Sequence, residues 1–435
     1  MRVTLQLLVV LVVGFLQPGT WGTAEQIGET RAALPGVSFV EGEHASFLRQ
    51  QSISSLRVYA FHNGTPVPIP FQVDERDRRD RWVLDHTEGQ PQRSLSAEFG
   101  DNHFLVVMNR DLGHRGDLSQ LPAGAAAWGE MRVGDEANAL GFAYVGIFAD
   151  PPALACAATC AYARYDPQTD RVYAERYALE FRGPLPSHVA FVDQLGEFGA
   201  NTIAGVRASG EVRFLGGLLK LRRTEADIHT EDVSYRQGPL RAIRRARYWI
   251  PLPLGLRTTG RVDLLFYRDF VEGTAMVKLK VPPRLVLADG ELLTYFDFLH
   301  LHGARLLLDG VLPSESASVN GHMTPAEQAV VGHPARWAAL LLPDGRTVWV
   351  VVRLEGALQR LDQRLHFADM TKANGEVGGL PLIGFEFTGI NRLETGVHRL
   401  SVFAGILDSV APEEIQRTVN IFLSPPAVSI RELTR

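Results

Sequence analysis

Three groups of side chains combine types and spacings that could do chemistry. In EADIHTEDVSY, Asp227, His229 and Glu231 recur at every second position. In a strand, that period puts two carboxylates and an imidazole on one face, a set able to hold a metal ion or shuttle a proton. The run that follows, QGPLRAIRRARYWI, alternates likewise, with Arg241, Ile243, Arg245 and Arg247 on one face and Arg244 opposite. A hairpin turning at Gln237 and Gly238 would set Glu231 near Arg245 and His229 near Arg247, and a ladder of cross-strand ion pairs is the plainer account of the pattern. The alternative is a ligand surface built from Arg241, Arg245, Arg247, His229 and Glu231, because guanidinium forks grip planar anions bidentately and an acidic polysaccharide would suit them.

The second group is His300 and His302 in YFDFLHLHGARLLLDG. Two imidazoles one residue apart in a strand share a face, a spacing found in sheet metal sites that draw further ligands from elsewhere. His322 and His333 lie near enough in sequence for a loop to deliver another nitrogen. The plainer expectation is two strand-end histidines hydrogen-bonded to backbone. No cofactor is required by the sequence, and a divalent metal at His300 and His302 stays open. The third group is Cys156 and Cys160, four apart in LACAATCAYA. In an oxidising compartment they are expected to form a disulfide that staples a turn, since so small a loop restrains little chain. A metal site would need more ligands, and a redox pair is more naturally spaced C-x-x-C.

Other chemistry is missing. There is no G-x-S-x-G elbow, H-E-x-x-H pair, Walker loop or G-x-G-x-x-G following a strand. The aromatics Tyr248, Trp249, Phe266, Tyr267, Tyr295, Phe296 and Phe298 could stack on sugar rings or fill a core, and the sequence does not say which face is exposed. Of the 44 basic residues only Lys220, Lys278, Lys280 and Lys372 are lysine, which leaves few candidates for a Schiff base.

The elements that must position these residues are strands. Residues 1–24 read as a secretory signal peptide: Arg2, an apolar run from Leu5 to Leu16, a break at Pro18 and Gly19, and small residues at Gly22 and Ala24. The apolar run is short for a membrane span, so an exported protein, periplasmic or extracellular and without a transmembrane anchor after cleavage, is the expectation. The 435 residues are 46% hydrophobic and 21% charged, a globular composition. The net charge of −5 offers no surplus to neutralise a phosphate backbone, and a nucleic-acid partner is not expected. After residue 24, short apolar or alternating runs are separated by turn residues about every ten positions, the signature of all-β, antiparallel β-sandwiches with very little helix. A small N-terminal sandwich is expected over 25–150 and a larger, supersandwich-like one over 160–430, divided by the Pro- and Cys-bearing ADPPALACAATCAY. RWAALLLP-DG-RTVWVVVRL reads as a hairpin buried on both faces, as in the middle layer of stacked sheets, and LIGFEFT as a half-buried strand with Ile383, Phe385 and Phe387 inward. Thr324, Pro325 and Glu327 predict a capped helix over 325–331.

Two stretches carry a resemblance. VPIPFQVDERDRRDRWVLD (67–85) with FGDNHFLVVMNRDLGHRGD (99–117) resembles uncharacterised exported bacterial β-rich proteins, and QGPLRAIRRARYWIPLPLGLRTTGRVDLLFYRDF (237–270) resembles a hairpin in the large β-sandwich domain of exo-rhamnogalacturonan lyase-like and mutarotase-like supersandwich proteins. Both imply fold rather than activity. Where the first relatives have acidic turns able to hold Ca²⁺, this chain has Arg76, Arg78, Arg79 and Arg81, which argues against an oxygen cage.

The leading expectation is an exported, non-catalytic β-sandwich protein that binds a glycan or another cell-envelope component. A polysaccharide lyase or sugar-modifying enzyme on the same scaffold is the alternative. A metal-binding or redox accessory protein is the second alternative, and the expected partners are a polysaccharide or an envelope protein.

Overall fold

A computed structural model describes residues 35–87, 96–135, 139–153, 161–192, 198–214, 217–251, 257–279, 282–285, 287–299, 301–311, 317–369, 381–408 and 410–433. The expected signal peptide (1–24), Cys156, Cys160 and His300 lie outside them. The described residues are dominated by antiparallel strands, with two short α-helices, Pro325–Val330 and Pro412–Leu423, so the all-β expectation holds. The chain divides into two compact units. The smaller takes the described residues up to Arg164, then Tyr235–Ala242 and those from Ser424 on; the larger takes Tyr165–Ser234 and Ile243–Leu423.

The smaller unit has a three-stranded sheet in the order Val37–Glu41, His103–Met108, Gln72–Glu75. Its five-stranded sheet runs Val428–Leu433, Ala125–Gly134, Ala139–Phe148, Leu56–His62, Thr65–Pro68. Alternating residues of both sheets, among them Val40, Val73, Leu105, Val107, Val58, Met131 and Val145, interdigitate in one apolar core. The chain's last strand completes the five-stranded sheet, pairing Ile430 with Met131.

One group in this unit is not apolar. Asp74 is 1% exposed. Its Oδ1 accepts from Arg236 Nε at 2.8 Å and its Oδ2 from Arg241 Nε at 2.9 Å. Gln72 Nε2 donates to the same carboxylate at 2.9 Å, while Gln72 Oε1 accepts the backbone N–H groups of Leu240 and Arg241, each at 3.1 Å. Gly238 lies so close that an added Cβ would sit 2.1 Å from Gln72 Oε1. The Trp82 ring closes the cluster, with the Arg241 guanidinium 4.6 Å and that of Arg76 4.2 Å from its centroid. Beside it, Asp77 accepts from the backbone N–H groups of Arg79 and Arg81 and from Arg81 Nε, so the basic turn satisfies its own carboxylate.

The larger unit is built on two sheets. The first is nine-stranded, in the order Asp362–Ala368, Leu382–Thr388, Leu287–Phe298, Phe198–Phe214, Leu185–Val192, Tyr177–Arg182, Arg171–Ala174, Ala163–Asp166, with Leu219–Thr224 pairing the far half of Phe198–Phe214. The second runs Arg305–Leu308, Trp337–Leu341, Thr347–Leu354, Gly396–Leu407, Phe270–Leu279, Arg257–Phe266, Ala242–Pro251, His229–Gln237. Phe296, Phe298 and Ile383 of the first meet Ala338, Leu340, Val348 and Val350 of the second across the interior.

The hairpin around Asp344 and Gly345 forms as expected, Trp337 opposite Val351, and both strands are buried on both faces. The layer over its far face is not a third sheet. It is the amphipathic helix Pro412–Leu423, whose Ile415, Val419 and Phe422 point inward at helical spacing. Phe422 packs on Trp349, Phe270 and Phe403 at ring separations of 4.7, 5.0 and 5.1 Å. The short helix at 325 forms with the expected capping box, Glu327 N–H donating to Thr324 Oγ1 and Thr324 N–H to Glu327 Oε2.

Burial pushes the Asp74 carboxyl up, but Arg241, Arg236 and Gln72 outweigh it and hold the group below its ordinary value. A depressed folded-state value means stability present above the unfolded value of about 3.9 and lost as pH falls through the folded one. Asp74→Asn leaves two buried guanidinium groups without their anion, and is expected to lower the unfolding free energy by about 3–5 kcal/mol. Denaturant titrations at neutral and acid pH check both: the wild type loses stability on acidification, and the gap between wild type and variant narrows.

Candidate functional site

The structure separates the residues that the sequence groups together. The turn forms where expected, with Gly238 N–H donating to the Arg241 carbonyl at 3.1 Å. Across the hairpin, however, Arg247 meets Asp232, Nε to Oδ2 at 2.7 Å, three positions beyond His229. An odd slip exchanges the faces of a strand. His229, at the start of its strand, stacks on Trp249 with ring centroids 4.3 Å apart, and Glu231 lies exposed. Asp227 is not in the strand at all: it closes a one-turn 3₁₀ helix, accepting from Thr224 N–H at 2.9 Å. Arg245 forks Asp263, Nε to Oδ1 at 2.6 Å, and Arg244 forks Asp170 with both contacts at 2.7 Å while lying over Phe181. Arg241 belongs to the Asp74 cluster, so a ligand there would have to displace a buried carboxylate. His302 is exposed in a turn.

A different set of residues converges. The nine-stranded sheet turns Val172, Leu179, Val189, Phe296 and Phe385 inward. Its outer face carries the opposite alternation. Arg171 stands opposite Glu180, Tyr173 opposite Ala178, Glu180 opposite His188 and Ala178 opposite Ala190. With Arg182 they line a cleft of about 410 Å³. Two alanines make its floor, because nothing larger rises from those positions. Arg171 donates to Glu180 through Nε at 3.1 Å and Nη2 at 2.5 Å, and holds that carboxyl below its ordinary value. His188 Nδ1 lies 3.2 Å from Ser187 Oγ and 3.9 Å from Glu180 Oε1. Arg182 is exposed and forms no ion pair among the described residues.

Farther along the same face, Tyr295, Gly384 and His366 stand in one row across three strands. A Cβ on Gly384 would lie 1.9 Å from the Thr294 carbonyl oxygen, so only glycine fits and the flanking rings close over it, 5.8 Å apart. Burial holds the His366 imidazole below its ordinary value despite Glu291, and raises the Tyr295 hydroxyl together with Asp297. Burial also raises Glu291, helped by Glu386 and Glu211. Arg207 bridges Asp297 at 2.8 Å and Glu225 at 3.2 Å. Shifted acids and bases gathered on one face are a feature of functional sites. Of these residues, the sequence singles out only Tyr295. The signal for the cleft is the alternation in three short consecutive strands, RVYA, YALEFR and LPSHVAFV, where charged, aromatic and small residues share one parity.

No family model matches the chain, and no curated protein does. Among solved structures it is similar to the α-N-acetylgalactosaminidase NagBb from Bifidobacterium bifidum in complex with GalNAc. The identity is 12% over 60% of this chain and 37% of that one, with a TM-score of 0.34. A heparan sulfate lyase HepC mutant from Pedobacter heparinus shares 9% identity over 57% of this chain and 37% of its own, with a TM-score of 0.32. The protein Slr1438 from Synechocystis sp. PCC 6803 shares 12% over 57% of this chain and 96% of its own, with a TM-score of 0.34. The chain thus spans little more than a third of the glycosidase and the lyase.

The arginine row separates into two energetic classes. The Arg247 side chain is 53% exposed, so Arg247→Ala is expected to cost no more than about 1 kcal/mol. Arg245 and Asp263 are both largely buried, and Arg245→Ala strands a carboxylate at a cost of about 3 kcal/mol. Urea unfolding of the two variants checks the ranking, and equal losses would contradict it.

Proposed function

We propose that this protein is an exported β-sandwich protein that binds an acidic glycan on the outer face of its nine-stranded sheet, without cleaving it. The observation that carries this reading is the cleft beside Arg182: a hollow with an alanine floor, Tyr173 on its wall and, in Arg182, a guanidinium that forms no ion pair among the described residues. Sugars present apolar C–H faces and a rim of hydroxyls. Tyr173 and the alanines offer the apolar surface, while Glu180 and His188 offer acceptors and donors to hydroxyls. Arg182 matches the planar, bidentate geometry of a uronate carboxylate. Arg171, already engaged by Glu180, positions that acceptor rather than competing for the ligand. Export is supported by the leader, with Arg2 ahead of the apolar run Leu5 to Leu16.

Catalysis on the same face is the rival, favoured by the row of Tyr295 and His366 with Glu291 beside it. There burial lowers the His366 imidazole and raises the Glu291 carboxyl, the directions that suit a general base and a general acid.

A ligand that binds only the native state raises the melting temperature, the stabilisation reaching about 2.7 kcal/mol at a hundred times its Kd. Oligogalacturonate is expected to raise it and a neutral oligosaccharide of equal length to do so less. Arg182→Gln and Tyr173→Ala should each remove most of the response while unfolding normally without ligand. An equal response to both sugars, or an unchanged one in Arg182→Gln, would overturn the reading. Appearance of shortened or unsaturated products that vanishes in His366→Ala would favour the enzyme.

A further inference from the structure

A second hollow in the larger unit has different chemistry. It encloses about 560 Å³, within the range of small-ligand sites. It lies where the ends of the strands Thr347–Leu354 and Asp362–Ala368, the turn Gly356–Arg360 and the last residue of the helix Pro412–Leu423 come together. Its apolar lining is aliphatic: Val352, Leu354, Leu361 and Leu423. None of its lining residues is aromatic, so it has no platform for a sugar ring, in contrast to the cleft with Tyr173.

Three guanidinium groups line it, and two are already committed. Arg336 Nε donates to Asp309 at 2.8 Å. Arg353 donates to Glu355 at 3.1 Å and to the Phe422 carbonyl at 3.0 Å, and its guanidinium lies 5.0 Å from the Phe403 ring centroid. The lining carboxylate Asp362 is likewise taken, by Arg392 at 2.8 Å. Arg364 is left. It donates through Nη1 to the Gly332 carbonyl at 3.1 Å and forms no ion pair among the described residues. Its cross-strand neighbour is Glu386, and Arg364 helps Arg392 to hold the Asp362 carboxyl below its ordinary value. A guanidinium carries five N–H donors, so most of this one's capacity faces the hollow or water. Gln359 and Gln363 add amide groups beside it.

We infer that this hollow binds a small aliphatic carboxylate, its chain on the valine and leucine lining and its carboxylate held by Arg364. An anion fits because the lining carboxylates Asp309 and Asp362 are held by Arg336 and Arg392, while Arg364 has no ion pair among the described residues. A carboxylate fits because its two oxygens match the guanidinium fork. The aliphatic body follows from the lining, which rewards methylene groups with removal from water. The site shares no residue with the glycan cleft and stands whether or not that cleft binds sugar.

Hexanoate is the probe and hexanamide, nearly the same shape without the charge, its control. Titrations followed by calorimetry should show hexanoate binding at least about ten-fold more tightly than hexanamide, a difference of about 1.4 kcal/mol. Arg364→Gln, a change at an exposed residue, should bring hexanoate down to the level of hexanamide. Gln359→Trp, also exposed, should obstruct the hollow and weaken both. Equal binding of the acid and the amide, undiminished binding of hexanoate by Arg364→Gln, or no binding of hexanoate at millimolar concentration would each overturn the inference.

Discussion

A buried carboxylate between two arginines sets the terms for much of the structure. Asp74 is out of reach of water, and an ionised carboxylate there is tolerable only with opposite charge and hydrogen bonds on every side. Arg236, Arg241 and Gln72 supply them. Because Gln72 also accepts from the backbone at Leu240 and Arg241, the turn after Gln237 is held in place as well as neutralised. Once that turn is set, the register of the strands leading into and out of it is set too. Asp232 rather than His229 then falls opposite Arg247, and every side chain of the pair takes its face from that choice.

The same logic of pairing runs through an arginine-rich chain. Arg244 with Asp170, Arg245 with Asp263 and Arg336 with Asp309 all hold their carboxylates in forks or single contacts. Arginine is thus chiefly a structural residue here. Among the described residues Arg182 and Arg364 form no ion pair, and each lines a hollow. The nine-stranded sheet adds the other condition for a site. Its inner face is committed to the core, so chemistry gathers on the outer one, where alternation places Tyr173, Glu180 and His188 in reach of each other.

Much of the local structure was legible. The hairpin at Asp344 and Gly345, the strand Leu382–Thr388 with its three inward apolar residues, and the capping box at Thr324 follow from turn chemistry, period and cap residues that act within a few positions. The helix Pro412–Leu423 was missed as the cover of that hairpin, because two apolar faces announce burial without saying what lies against them. The PFQVDE stretch stood out as familiar, but its purpose did not show: Gln72 and Asp74 act on residues more than 150 positions away. The candidate site was largely illegible for the same reason. Tyr295 and His366 are neighbours only because both flank Gly384 on a strand between them.

Composition and spacing alone determined that this chain forms antiparallel sheets with inward apolar faces and where several of its turns lie, since each depends on the order of nearby residues. Which charges pair and which polar residues share a hollow were decided by tertiary structure. Those outcomes depend on strand order and register, and a shift of one residue in either exchanges the face that water sees for the face that the core keeps.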